Sequence, residues 1–149
     1  MSSRRAQIAM SAEEVAAFLD EQRVVTCATL GRDGWPHLMP LWYVIREGEL
    51  WAWTYARSQK VRNLERDARC TLQVETGDTY DQLRGVMLKA DAVIHREGVL
   101  ELGVEIFERY TGGPVDPEHL RGQAAKRVGL QFVVREAASW DHRKLAGVY

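Results

Sequence analysis

Short strand-like runs separated by tight-turn sequences constrain the fold of this chain more than any other feature of its sequence. Residues 23–30 are mostly β-branched and apolar, and runs of similar character follow at 36–46 and 50–55. The stretches between them, Gly-Arg-Asp-Gly at 31–34 and Glu-Gly-Glu at 47–49, are typical of turns. This spacing predicts a meander of antiparallel strands, and closure into a barrel is favoured because it removes exposed sheet edges.

Helical patterns flank and interrupt this meander. Ser11 and Glu14 have the spacing of a capping box, so a helix is expected over residues 11–21. Two more helices are expected over residues 59–66 and after Gly98. The remaining expected elements are a short helix between Asp116 and Arg127 and strands at 70–75, 84–95, 129–136 and 138–141. Together they predict an α+β fold, a closed or split β-barrel of six to seven mostly antiparallel strands with flanking helices.

Length and composition are those of one globular domain, expected over residues 1–149 with a flexible N-terminal stretch at 1–10. The formal net charge of −1 argues against a nucleic-acid-binding protein, which needs a broad basic surface. No apolar run approaches a membrane span and no signal peptide is visible, so we expect no membrane association. Cys27 and Cys70 lie in strand-like runs, which favours buried, reduced thiols and a cytoplasmic location.

The residues that commonly ligate metals or act as nucleophiles do not form a recognisable motif. Cys27 lies in the middle of an apolar run, so a core position is favoured over a nucleophilic role. The four histidines lie far apart in different predicted elements: His37, His95, His119 and His142. Because no two of them have the spacing of metal ligands, no metal site is expected, and no catalytic residue is assigned.

A basic segment at a strand-to-helix corner is the most informative candidate site. Arg57, Ser58 and Lys60 lie where the strand ending near residue 55 leads into the helix over 59–66. The first amides of a helix lack internal partners, and the helix dipole places partial positive charge there. Such a corner is suited to a phosphate group. The alternative is a solvated helix face with scattered charges.

Aromatic residues are concentrated immediately before this corner. Six of them fall between positions 35 and 55: Trp35, Trp42, Tyr43, Trp51, Trp53 and Tyr55. One interpretation is a core that packs on both faces of the strands. The other is a flat slot for a planar ring, which would adjoin the phosphate corner in the way a flavin-type ligand requires.

Four segments resemble the pyridoxamine 5′-phosphate oxidase-like flavoproteins, which have a split β-barrel. They are residues 34–54, the segment Ser-Gln-Lys-Val-Arg-Asn-Leu-Glu-Arg-Asp-Ala-Arg at 58–69, residues 80–88, and the tail at 139–145. Within that family the sequence most resembles the actinobacterial branch that uses the deazaflavin coenzyme F-420. The resemblance extends over residues 11–145, and it departs from many relatives at Ala68, where they have proline.

The resemblance implies a homodimer with the cofactor in a groove shared by the two subunits. The cofactor phosphate would be held by Arg57, Ser58 and Lys60, with Asn63 supporting them. The ring side would be lined by His37, Met39, Pro40, Trp53 and Thr54. Two interpretations of the tail at 139–145 are open. It is either a solvated terminus or a segment that covers a pocket, which could belong to the other subunit of a dimer.

The function implied is that of an oxidoreductase that transfers hydride between bound coenzyme F-420 and a small unsaturated organic substrate. Since the cofactor supplies the hydride, no catalytic triad is expected. Arg62, Arg66 and Arg69 exceed the needs of one phosphate and would suit the anionic tail of coenzyme F-420, the alternative for some of them being ion pairs with Glu65 and Asp67. Two alternatives remain open: an FMN-binding oxidase or reductase of the pyridoxamine phosphate oxidase type, and a non-catalytic flavin or deazaflavin carrier. The basic residues that bind a substrate phosphate in the true oxidase are not recognisable, which disfavours vitamin B6 oxidation.

Overall fold

Six antiparallel strands close into a barrel in the computed structural model of this protein, which describes residues 2–148. The strands are β1 (Val24–Leu30), β2 (Pro36–Arg46), β3 (Glu49–Tyr55), β4 (Arg69–Thr76), β5 (Arg84–His95) and β6 (Arg127–Asp141). Around the barrel they follow the order β1-β2-β3-β6-β5-β4, and the pairing of β4 with β1 closes it. The expected α+β barrel of antiparallel strands is thereby confirmed, with six strands in the described part of the chain.

Five helices flank the barrel within the described residues. They are α1 (Arg4–Ile8), α2 (Ala12–Glu21), α3 (Gln59–Arg66), α4 (Val99–Thr111) and α5 (Arg121–Ala124). The capping box expected at the start of α2 is present, because the Ser11 hydroxyl accepts from the Glu14 amide while the Glu14 carboxylate accepts from the Ser11 amide. Helix α4 ends at Gly112, whose φ of 76° lies in the left-handed region.

The main core fills the barrel interior. Alternate residues of β1 point inward, and Val25 and Cys27 are fully buried. Both thiols, those of Cys27 and Cys70, are free and buried, as the sequence predicts. Helix α2 closes one side of this core, where the Tyr43 hydroxyl donates a 2.6 Å hydrogen bond to the Leu19 carbonyl.

A second, smaller core lies outside the barrel, between the strand pair β2–β3 and helix α4. Its buried members are Val44, Trp53, Val99, Leu102, Ile106 and Ala124. The helix approaches the sheet closely because Gly103 has no side chain. A Cβ at position 103 would lie 2.6 Å from the Trp53 Cη2 atom, well inside van der Waals contact.

The structure differs from the sequence-based expectation at two places near the C-terminal half. The strands expected at 129–136 and 138–141 form the single long strand β6. A register shift opposite Lys89 and Ala90 leaves Arg135 as an extra residue, so β6 bends and continues instead of ending. The short helix expected between Asp116 and Arg127 divides into a 3-10 turn at Pro117–His119 and the one-turn helix α5.

The N-terminal stretch at 1–10, expected to be flexible, is attached to the C-terminal strand over its described part. Helix α1 lies within it, and the Met10 amide donates a 2.9 Å hydrogen bond to the Ser139 hydroxyl. Lys144 Nζ donates to the Ala9 carbonyl at 2.9 Å. Met1 lies outside the described residues. These contacts leave no local signal in the sequence, since their partners are more than a hundred positions apart.

The close approach at Gly103 makes a stability prediction. Gly103→Ala should lower the free energy of unfolding by about 1 to 3 kcal/mol, because the added methyl overpacks against the enclosed Trp53 ring. The matched control is Gly122→Ala in α5, where a Cβ would meet no atom within 4 Å. That change should stabilise by about 0.4 to 1 kcal/mol. Urea denaturation of both variants makes the comparison, and equal effects would contradict the packing argument.

Candidate functional site

The corner between β3 and α3 has the structure expected of an anion-binding helix terminus. Ser58 caps the helix, and its hydroxyl accepts a 3.3 Å hydrogen bond from the Val61 amide. The amides of Gln59 and Lys60 precede the first hydrogen-bonded turn and have no helical partner. The Arg57 side chain is exposed at the same corner. The backbone and the charge of Arg57 therefore both favour an anion here.

Lys60 is buried, unlike Arg57 and Ser58, the other two residues expected to hold the phosphate. It is 3% exposed, and its Nζ donates a 3.0 Å hydrogen bond to the Thr54 hydroxyl. Burial lowers the pKa of the Lys60 ammonium, and the nearby Cys27 thiol opposes this shift. The structure thus brings Lys60 together with Thr54 inside the end of the barrel, while Arg57 remains at the surface.

Asn63 fixes helix α3 to the barrel wall. It is fully buried, and its amide nitrogen donates a 3.0 Å hydrogen bond to the Thr29 hydroxyl on β1. Its Oδ1 accepts from Gln59 Nε2 at 2.9 Å and from Arg66 at 3.4 Å. The Arg66 guanidinium also donates to the Leu30 carbonyl. Sequence reasoning expected Asn63 to support the corner but missed Thr29, because nothing in a strand sequence indicates its partner 34 positions away.

The residues expected on the ring side do not share one surface. His37 and Met39 pair in register with Thr29 and Cys27, so they lie on the same face of the sheet as those two residues. Pro40 follows on β2 and is exposed, as is Met39 at 44%. Thr54 lies with Lys60, as described above.

Trp53 lies away from those residues, on the outer side of the barrel beneath α4. It is 8% exposed, its ring meets the Phe107 ring edge-on at 6.1 Å, and the Arg127 guanidinium stacks on it at 4.8 Å. Trp42 stacks on Tyr110 at 4.2 Å in the same layer. The six aromatic residues therefore divide: Tyr43, Trp51 and Trp53 pack in the two cores, whereas Trp35, Trp42 and Tyr55 are 76%, 45% and 54% exposed.

The arginines of α3 and its surroundings divide into paired and unpaired groups. Arg69 forms three hydrogen bonds with the Asp67 carboxylate, which holds the pKa of Asp67 at about 2. Glu65 lies 3.7 Å from Arg96. Among residues 2–148, Arg62 has no carboxylate within 4.0 Å. Arg69 is thus committed to an ion pair, and Arg62 is not.

The tail at 139–145 is packed, with its last residues in a 3-10 turn at His142–Leu145. Asp141 is buried and receives two hydrogen bonds from the Arg143 guanidinium, at 2.9 and 2.8 Å, which lower the pKa of its carboxyl. Lys144 reaches Glu14 at 2.9 Å. The tail therefore connects the end of β6 to the start of α2.

Two classes of site are not found in the part of the chain that the structure describes. There, no group of three or more His, Cys, Asp or Glu side chains is placed to hold a metal ion. Among the same residues, no helix combines the length and the apolar character needed to cross a membrane.

A closed antiparallel barrel with a helix-capped basic corner at its end defines this chain as an α+β split-barrel protein. The family profile described as pyridoxamine 5′-phosphate oxidase matches residues 11–141. The chain belongs to this family, as the resemblance in its sequence predicted. A comparison with curated protein sequences gave no significant match.

Solved structures share the fold of this chain. The chain is similar to a conserved hypothetical protein from Mycobacterium tuberculosis, with 44% identity and a TM-score of 0.91, covering 99% of this chain and 95% of that one. An F-420 reductase is 19% identical with a TM-score of 0.69, covering 82% of this chain and 94% of that one. An FAD-binding protein from Mesorhizobium loti is 17% identical with a TM-score of 0.65, covering 88% and 93%. The last two show the fold alone.

The burial of Lys60 predicts a specific pH dependence of stability. The pKa of this ammonium is lower in the folded protein than its ordinary value of 10.5, so the penalty for burying its charge is present at neutral pH. The penalty disappears as pH rises through the folded pKa towards 10.5. The free energy of unfolding of Lys60→Met should therefore exceed that of the wild type by the largest amount near pH 7, and by progressively less towards pH 10. Urea denaturation across this range measures the difference, and a constant difference would refute the buried-charge interpretation.

Proposed function

We propose that this protein is an oxidoreductase that uses bound coenzyme F-420 to transfer hydride to or from a small unsaturated organic substrate. The observation that carries the proposal is the start of α3, where free amides, the Ser58 cap and the Arg57 side chain offer a phosphate site. Family membership and the likeness to an F-420 reductase support it. When bound, the deazaflavin ring would supply the hydride chemistry.

The residues around the corner fit a ligand with an anionic end and a planar ring. Arg57 and the first amides of α3 would bind the phosphate, and Asn63 positions them by fixing the helix to Thr29. Met39, 44% exposed on β2, would present an apolar surface to one face of the ring, whereas Pro40, which pairs with Thr26, points to the opposite face of the strand. Lys60, held on Thr54, would add positive charge from inside the barrel end. These residues bind and orient, and none of them is proposed to transfer a proton.

A homodimer is part of the proposal, because the outer face of β1 and β2 carries exposed apolar side chains. Val24 is 46% exposed and pairs in register with Trp42, which is 45% exposed. Leu30 is 40% exposed and Leu38 is 58% exposed on the same outer face. Contiguous apolar surface of this kind favours burial against another protein surface, and a second copy of the chain is the simplest partner.

The cofactor preference is tested by titration. Coenzyme F-420 should bind more tightly than FMN at low ionic strength, since its anionic tail can contact basic side chains beyond the phosphate. Those contacts are exposed and should weaken as the salt concentration rises. The ratio of the FMN dissociation constant to that of coenzyme F-420 should therefore fall at high salt. Fluorescence titrations of both cofactors at low and high ionic strength make the comparison. Equal or tighter binding of FMN at low salt would favour the FMN alternative, and binding without turnover of unsaturated acceptors would favour a carrier.

The role of Lys60 in the corner predicts a loss of cofactor affinity. Lys60→Ala should weaken binding about ten- to a hundredfold, because it removes a positive charge from the poorly solvated end of the barrel, where charges interact strongly. The control is Lys89→Ala, which removes an exposed lysine on β5 that pairs with Glu136. A dissociation constant unchanged in Lys60→Ala for both cofactors, with the folded state verified by circular dichroism, would remove Lys60 from the site.

The dimer is tested by sedimentation. The 17.0 kDa chain should sediment as a dimer at micromolar concentration. Leu38→Glu, which places a charge on the apolar outer face, should shift it towards the monomer. Val93→Glu, at a position 42% exposed on β5, is the matched control. A wild-type monomer would refute the dimer. If Val93→Glu alone dissociates it, the interface does not lie on the outer face of β1 and β2.

A further inference from the structure

A second basic cavity lies beside the corner, between the turn that joins β1 to β2 and the outer side of α3. It has a volume of about 600 Å³. The side chains that matter for its chemistry are Arg32, Trp35, His37, Gln59, Arg62 and Arg66. Neither Arg57 nor Lys60 lines it, but Gln59 and Asn63 do, so it adjoins the phosphate corner and shares these two residues of α3 with it.

The charges in this cavity are not balanced by the protein. Among residues 2–148, neither Arg32 nor Arg62 has a carboxylate within 4.0 Å. Arg66 donates to the Leu30 carbonyl and the Asn63 side chain, both uncharged. Asp33 also lines the cavity, but its carboxylate already accepts from the Trp35 amide at 3.0 Å. Three guanidinium groups and one engaged carboxylate leave an excess of positive charge in a chain whose net charge is −1.

An unpaired buried atom in the wall of the cavity is an independent indication of a ligand. His37 Nδ1 is enclosed and has no hydrogen-bond partner. Enclosed polar atoms are almost always paired, because leaving one without a partner costs free energy. When Nδ1 carries a proton it is a donor, and an anion in the cavity would accept from it.

We propose that this cavity is a binding site for a small carboxylate- or phosphate-bearing anion. Arg62 and Arg32 provide charge without having to leave an existing ion pair. His37 provides a donor at the wall, and Arg66 is already oriented by its contacts with Leu30 and Asn63. The Trp35 ring forms an apolar side. The anion is either a free metabolite or an anionic part of the proposed cofactor, and the chemistry of recognition is the same in both cases.

The site is tested with free anions and protein without cofactor, so its outcome is independent of the proposed function. Inorganic phosphate and a triglutamate peptide are titrated into the wild type by calorimetry at low ionic strength. At least one should bind, and Arg62→Gln should weaken binding about tenfold or more. Arg62 makes no intramolecular ion pair, so this variant should fold normally. Arg121→Gln, which removes an equal charge beside Glu118 at a position that does not line the cavity, should bind as the wild type does.

A spectroscopic readout separates the site from general surface charge. The imidazole nitrogens of His37, observed by ¹⁵N NMR and assigned with His37→Gln, should shift on anion addition, while those of His119 should not. Repeating the titration with coenzyme F-420 present distinguishes the sources, since competition indicates a part of the cofactor and independent binding indicates a separate anion. Absence of binding by both probes, or equal weakening by Arg62→Gln and Arg121→Gln, would overturn the proposal.

Discussion

The contact of helix α3 with the barrel end is the interaction on which both binding regions depend. It is made by a fully buried amide side chain, Asn63, that donates to the Thr29 hydroxyl across 3.0 Å. A buried polar pair of this kind is costly to break, because each partner would remain desolvated without a hydrogen bond. The pair therefore fixes the rotation of α3. That rotation decides that Lys60 points into the barrel, and that Arg62 and Arg66 point towards the β1–β2 turn.

The second constraint is the separate core under α4. Trp53 fills the space above Gly103 and is covered by Phe107 and Arg127. Once its ring is enclosed there, it cannot also line a ligand slot near α3. The outer side of β3 is thus occupied by packing, and the apolar surface left for a ring is the exposed part of β2 around Met39. In the strand pair β2–β3, the part around Trp53 packs beneath α4, and the exposed part of β2 around Met39 remains available for binding.

The same packing determines which arginine side chains have a carboxylate partner. Arg69 is neutralised by Asp67, and Arg143 by Asp141. Arg57, Arg32 and Arg62 remain without carboxylate partners within the described residues, and they lie around the start and the outer side of α3. An overall charge of −1 thus conceals a local positive field, which is the property that an anionic cofactor or metabolite would encounter.

Local sequence determined the elements of this protein. The turn sequences at 31–34 and 47–49 and the cap at Ser58 predicted β1, β2, β3 and α3 to within one or two residues, because turns and helix caps depend on side chains adjacent in the chain. Barrel closure followed from the number of short strands, and the family from the segment at 58–69. The tertiary structure alone decided which candidate residues meet. It buried Lys60 against Thr54, moved Trp53 beneath α4, and placed Arg32, His37 and Arg62 around one cavity. These outcomes depend on strand register and helix rotation, which arise from contacts between distant segments and leave no local signal in the sequence.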